Sequence, residues 1–137
     1  MKTFRILPHT ADIRLEVKSS TLAELFSAAL EGMNEIIKPG FCDQRPLNLR
    51  EEIAGDANNA TEALIDFLSE INTLSHANKA LYCGCELSIV DDHGYRGIAR
   101  GVAVDGFAED IKAVTYHEAD VVQGPDGVYT TVIVFDI

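Results

Sequence analysis

Strand-type sequence stands at both ends of this chain with two amphipathic helical segments between, an order that calls for a core built from sheet and helix together. Near the start, Ile13, Leu15 and Val17 alternate with Arg14, Glu16 and Lys18, the period of a half-buried strand. At the other end the β-branched run Val132, Ile133, Val134 leads through Phe135 to Asp136 and Ile137. Both ends are therefore expected to be packed structure. If the last strand lies beside an early one, Asp12, Asp136 and the α-carboxylate of Ile137 gather oxygens at one spot, as a hard divalent cation requires.

Between these ends the helices are marked by local chemistry. Thr21-Leu22-Ala23-Glu24 reads as a capping box, in which hydroxyl and carboxylate each satisfy an orphaned backbone amide. The helix it opens carries Leu22, Leu25, Phe26, Ala29 and Met33 on one stripe and runs to about Lys38, before Pro39-Gly40. A second amphipathic helix is predicted from Asn58 to about Leu74, with Ala60, Leu64, Phe67, Leu68, Ile71 and Leu74 as its stripe.

The strand pattern fills the rest. Phe4 to Leu7 is extended in character, and Leu47, Leu49 and Ile53 suggest a third strand. Leu81–Val90 and Tyr95–Val104 flank a turn at Asp91-Asp92-His93-Gly94, and Ile111–Val122 and Val128–Phe135 flank Gly124-Pro125-Asp126-Gly127, a hairpin signal. The predicted fold is α+β: a single domain over residues 1–137, two amphipathic helices packed on largely antiparallel sheet.

Composition narrows the function. With 137 residues and 47% apolar content, the chain is long enough for one unaided core, and no apolar run approaches the ~18 residues of a membrane span. Met1 to Arg5 lead directly into strand-type residues, so no secretory signal is expected and the protein is placed in the cytoplasm. Three cysteines, Cys42, Cys83 and Cys85, make no complete disulfide framework; in a reducing compartment they are expected to be thiols, buried as small hydrophobes. The net charge of −11 opposes direct nucleic-acid binding, which depends on Lys and Arg. It favours cations or a basic protein partner.

No phosphate cradle, dinucleotide fingerprint, nucleophile elbow or zinc-protease motif is present. Asp91-Asp92-His93-Gly94 lacks the alternating acids and distant Glu of a calcium hand and reads as a plain turn. His9, Asp12, His117 and Asp136 are the residues from which a small metal-dependent hydrolase would be built; the alternative is imidazoles bonded to backbone groups at strand ends. Lys112 is either a solvated surface lysine or a base set against an anion.

The motifs His9-Thr10-Ala11-Asp12, Glu24-Leu25-Phe26 with Ala28-Ala29 and Gly32-Met33, Ile111 to His117, and Asp136-Ile137 occur in one order along the chain. Together they resemble the archease family. The sequence departs from it at Phe67-Leu68-Ser69-Glu70-Ile71, where the family commonly has Trp-Leu-Asn-Glu-Leu, and at Gly127-Val128, where it has Gly-Trp. The resemblance implies a non-enzymatic activator of the GTP-dependent RNA ligase of tRNA splicing and RNA repair, promoting ligase guanylylation and multiple turnover. It implies a metal site at Asp12, Asp136 and Ile137, calcium first, with magnesium or manganese as alternatives. Lys112, with His9 and His117 in support, is the implied partner-activating set. The ligase would hold the RNA.

Overall fold

The computed structural model describes residues 1–7, 12–43 and 45–137. His9, Thr10 and Ala11 lie outside the described residues. Two antiparallel sheets form around two helices. The first joins β1 (Lys2–Leu7), β2 (Ile13–Ser19), β8 (Tyr129–Asp136) and β6 (Ala113–Thr115) in the order β1-β2-β8-β6, with the short β7 (Val122–Gln123) also paired to β8. The second runs β3 (Leu49–Asp56), β5 (Gly94–Ala103), β4 (Ala80–Asp91). The fold is α+β, as the residue pattern predicts.

Helix α1 (Leu22–Ile37) packs on β1 and β2 of the first sheet and β4 of the second, so it joins the two layers. Its predicted stripe is buried, Leu22 partly. Thr21 caps it as expected, its hydroxyl accepting from the Glu24 amide at 3.1 Å. The reciprocal half of the box is absent: the Glu24 carboxylate binds the Met1 ammonium instead, also at 3.1 Å, because β1 delivers that charge to the helix start.

Helix α2 (Ala60–Asn78) is capped by the Asn59 side chain and ends four residues beyond the predicted Leu74, at a left-handed Lys79. The extra turn stays helical because Ser75 is buried and the Lys79 amide bonds the Ser75 carbonyl. Phe67, at the centre of α2, meets the Phe26 ring at 5.1 Å and the Tyr95 ring at 5.5 Å, so both helices and the second sheet share one contiguous core.

Two sequence expectations are corrected. The long strand expected over Ile111–Val122 is broken: β6 ends at Thr115, and Tyr116 to Val121 leave the sheet before β7 rejoins it. Tertiary bonds hold this excursion, from the Val121 amide to Thr61 Oγ1 and from the Asp120 amide to Thr131 Oγ1. Cys42 and Cys83, expected to be thiols, form a disulfide with Cα atoms 5.5 Å apart, a separation ordinary for such a bond. The turn after α1 carries Cys42 to β4, a contact between residues 41 apart in sequence. Cys85 is free and half-buried; burial, with Glu86 beside it, pushes its pKa up to about 11.

Candidate functional site

Register assembles the site. β2 pairs with β8 through Ile13↔Phe135, so the next position outward on each strand is Asp12 on one and Asp136 on the other. Both are exposed. β6 enters on the far side of β8 with Ala113↔Asp136, and the Lys112 amide donates to the Asp136 carbonyl at 2.7 Å. Asp12, Asp136, Ile137 and Lys112 are thus gathered at one end of the first sheet from three separate chain segments. Lys112 is exposed and Ile137 half-buried against the core.

His117 does not join them. Antiparallel pairing carries β6 away from Asp136 to Thr115↔Val134, after which the chain leaves the sheet, so no pairing with β8 holds His117 beside Asp136. It adjoins Glu118 instead.

Three features that the sequence reading does not single out support the site. The Ile111 carbonyl, immediately before Lys112, accepts from Asn72 Nδ2 at 3.0 Å and lies 3.2 Å from His76 Nε2. Asn72 and His76 are four apart on α2, hence on one face. That spacing was the available signal, although a buried Asn beside an apolar stripe does not announce its partner. The His76 ring also stacks edge-on against Phe107.

A second anchor comes from α1, whose Ile37 carbonyl accepts from the Ala108 and Glu109 amides while Lys38 Nζ reaches the Gly106 carbonyl. The 106–112 segment is therefore held by both helices before it delivers Lys112. The third feature is a two-pronged ion pair on the neighbouring strand, Arg14 Nε and Nη2 each 2.9 Å from the Glu118 carboxylate. The bond from Arg14 holds the Glu118 carboxyl below its ordinary range and raises the Arg14 pKa in return. Glu118 adopts φ 64, a left-handed conformation uncommon for a non-glycine residue.

Replacing Asn72 by Leu tests the α2 clamp. The buried Ile111 carbonyl loses a donor, an expected cost of about 1–3 kcal/mol, and the Lys112 and Val114 amides should exchange faster with solvent than other β6–β8 amides. Urea unfolding and amide exchange check this; unchanged exchange at Lys112 would mean that β8 alone positions it.

Among the described residues no three His, Cys, Asp or Glu side chains stand together as a metal cluster. The side-chain donors at the sheet end are the two exposed carboxylates of Asp12 and Asp136. Both are hard oxygen donors, which fits a divalent cation in kind and supplies fewer ligands than the six to eight of a closed calcium cage. The Asp91 loop is a plain turn, its carboxylate accepting from the His93 amide at 2.8 Å. A cleft of about 620 Å³ at the start of α2, lined by Asn58, Glu62, Asp92, Tyr116 and Asp120 among others, includes none of the gathered residues. In it the Tyr116 hydroxyl donates to Asp66, a bond that with partial burial pushes the phenol up to about 12. No helix of the described residues is long and apolar enough to cross a membrane.

Known proteins align along the whole of this architecture. Residues 4–137 match the model of the archease protein family (MTH1598/TM1083). Curated relatives named protein archease include one from Thermococcus gammatolerans, 28% identical with all of both chains covered, and one from Methanosarcina barkeri, 29% identical over 97% of this chain and 95% of the relative. Among solved structures, protein 1598 of Methanobacterium thermoautotrophicum superimposes with a TM-score of 0.82 at 20% identity over 98% of both chains. A Thermotoga maritima protein described as an archease, possible chaperone, gives 0.64 at 20% identity, with 97% of this chain and 96% of that one covered. With the family model spanning nearly the entire sequence and both sheets and helices reproduced in these structures, the chain belongs to the archease family.

Proposed function

We propose that this protein activates a GTP-dependent RNA ligase of tRNA splicing and RNA repair, promoting guanylylation of the ligase and its repeated turnover, and that the sheet end carrying Asp12, Asp136, Ile137 and Lys112 is the surface that acts. The observation that carries the reading is the β2–β8 register, which sets Asp12 beside Asp136 with the Lys112 amide bonded to the same residue. Asp12, Asp136 and the terminal carboxylate of Ile137 would hold a divalent cation, calcium ahead of magnesium or manganese. When bound, such a cation neutralises phosphate charge during nucleotidyl transfer.

The protein's own residues account for the rest. Two exposed carboxylates hold a cation weakly, with Kd on the order of 10⁻⁴ M or above in isolation, and leave coordination positions that the ligase fills. Lys112 presents an ammonium from a backbone fixed on three sides, suited to an anionic group of the partner or its nucleotide. The net charge of −11 draws the protein to a basic surface and away from RNA phosphates. A hydrolase built on His9, Asp12, His117 and Asp136 gains no support, since the pairing with β8 stops before His117 and the described residues hold no cluster of three His, Cys, Asp or Glu side chains.

Single-turnover guanylylation of the cognate ligase, with and without this protein, is the direct test. Acceleration dependent on the protein is expected, and identical rates would remove the proposal. Lys112→Ala should cut the stimulation by about tenfold, the loss of one charge-assisted hydrogen bond, while leaving cation affinity intact because an ammonium repels a cation. Calcium titration by calorimetry separates the two roles: if affinity falls along with stimulation, Lys112 organises the carboxylates instead.

A further inference from the structure

The one covalent cross-link of the described residues sits in the wall of a cavity. Cys42 and Cys83 line a concavity of about 280 Å³ between α1, β1 and β4, together with Phe4, Glu31, Asn34, Glu35 and Asp43. Cys83 lies where β4 slips out of register with β5, between Leu81 and Gly84, and both cysteines are only half-buried. The disulfide is therefore reachable by a small thiol.

The polar groups around it are of one kind. Glu31, Glu35 and Asp43 are carboxylates, and the Oδ1 of Asn34, a residue 3% exposed, is buried with no hydrogen-bond partner, its Nδ2 being committed to the Tyr82 carbonyl. Glu31 is neutralised by Lys2 at 2.9 Å. Glu35 accepts only from the Gly40 amide, and neither it nor Asp43 has an ion-pair partner among the described residues. The walls offer acceptors and negative charge, and Phe4 offers an apolar face for a short hydrocarbon stem.

We infer that this cavity is a thiol–disulfide exchange site selective for cationic aminothiols over anionic thiols. The incoming thiolate attacks one sulfur of the Cys42–Cys83 bond, forming a mixed disulfide and releasing the other cysteine as a thiolate, which takes up a proton. A second aminothiol attacks the mixed disulfide, leaving the protein with two thiols and the reductant as its own disulfide. Two electrons and two protons pass to the protein, and the same steps reversed, with a cationic disulfide as oxidant, close the bond again. The ammonium of the aminothiol is attracted by Glu35 and Asp43, the same carboxylates that repel a carboxylate-bearing thiol.

The test uses the whole, air-oxidised protein and three small thiols of similar length: cysteamine, 2-mercaptoethanol and 3-mercaptopropionate. Reduction is followed by alkylation and intact mass, with rates expressed per thiolate. Cysteamine should react about tenfold faster than 3-mercaptopropionate at low ionic strength, the scale of electrostatic steering in a charged cleft. That ratio should contract toward unity in 1 M salt and in the double variant Glu35→Gln, Asp43→Asn, which keeps the Gly40 acceptor and so the turn. Equal per-thiolate rates in the unmodified protein at low salt, or three alkylatable thiols before any reductant is added, would overturn the inference.

Discussion

Asp136→Ala is expected to reduce calcium affinity and ligase stimulation together, each by about 10- to 100-fold, while the protein stays folded. The magnitude is that of one charge-assisted ligand, roughly 1.5–3 kcal/mol, at 1.4 kcal/mol per tenfold. The fold should survive because the Asp136 side chain is exposed, whereas its backbone carbonyl, which the substitution retains, makes the bond to the Lys112 amide. Asp12→Ala should give the same pattern, since Asp12 immediately precedes β2, next to the Ile13↔Phe135 pair, and is exposed. Calorimetric calcium titration and single-turnover guanylylation measure the two losses, and circular dichroism monitors the fold. Full stimulation by a folded Asp136→Ala protein would remove Asp136 from the mechanism. A loss of stimulation with calcium affinity unchanged would make Asp136 a contact for the partner and not a ligand.

Phe67→Ala carries the largest expected effect on stability. The ring is fully buried at the meeting of α1, α2 and the second sheet, in contact with Phe26 and Tyr95. Truncation of such a side chain costs about 3–5 kcal/mol from lost transfer energy and the cavity left behind, a large part of the 5–15 kcal/mol typical of a whole domain. The melting temperature should fall by on the order of 10–20 °C. Tyr95 would feel the change directly. Its hydroxyl donates to Glu70 at 2.6 Å, and burial together with that carboxylate holds its pKa far above the ordinary phenol value; with Phe67 gone, the ring loses the edge contact that orients it. Phe67→Leu, which keeps most of the volume, should cost much less. A loss below about 1 kcal/mol for the alanine variant in urea unfolding would mean that the helices close over the gap, and that the core is less rigidly specified than its aromatic contacts indicate.

The stability of the core and the chemistry of the sheet end are linked by the segment before β6. Residues 106–112 touch both helices before reaching Asp136. A core substitution that shifts α2 therefore moves the Asn72 and His76 donors that hold the Ile111 carbonyl. Functional assays on Phe67→Ala are accordingly informative only at temperatures where the folded state dominates.

What the sequence determined was local. The start of α1 and both apolar stripes follow from side chains within a few positions of one another: Thr21 finds the Glu24 amide, Asn59 finds the Glu62 amide, and period 3.6 places Leu25, Phe26 and Met33 together. The β4–β5 hairpin is local as well, fixed by the Asp91 turn. The motifs that resemble archease were likewise legible, because each is a short run of the chain.

Only the tertiary structure decided the rest, because the relevant partners are far apart in sequence. Periodicity marks Ile13–Lys18 and Val132–Phe135 as strands but carries no information about register, and a slip of one residue would turn each side chain to the opposite face. The meeting of Asp12 with Asp136 depends wholly on that register. The division into two sheets, the departure of Tyr116–Val121 from β8, the Cys42–Cys83 bond and the clamp of Asn72 and His76 on Ile111 depend in the same way on which distant surfaces pack together. Each is stabilised by contacts that exist only after the intervening chain has closed, so no window of neighbouring residues contains both partners.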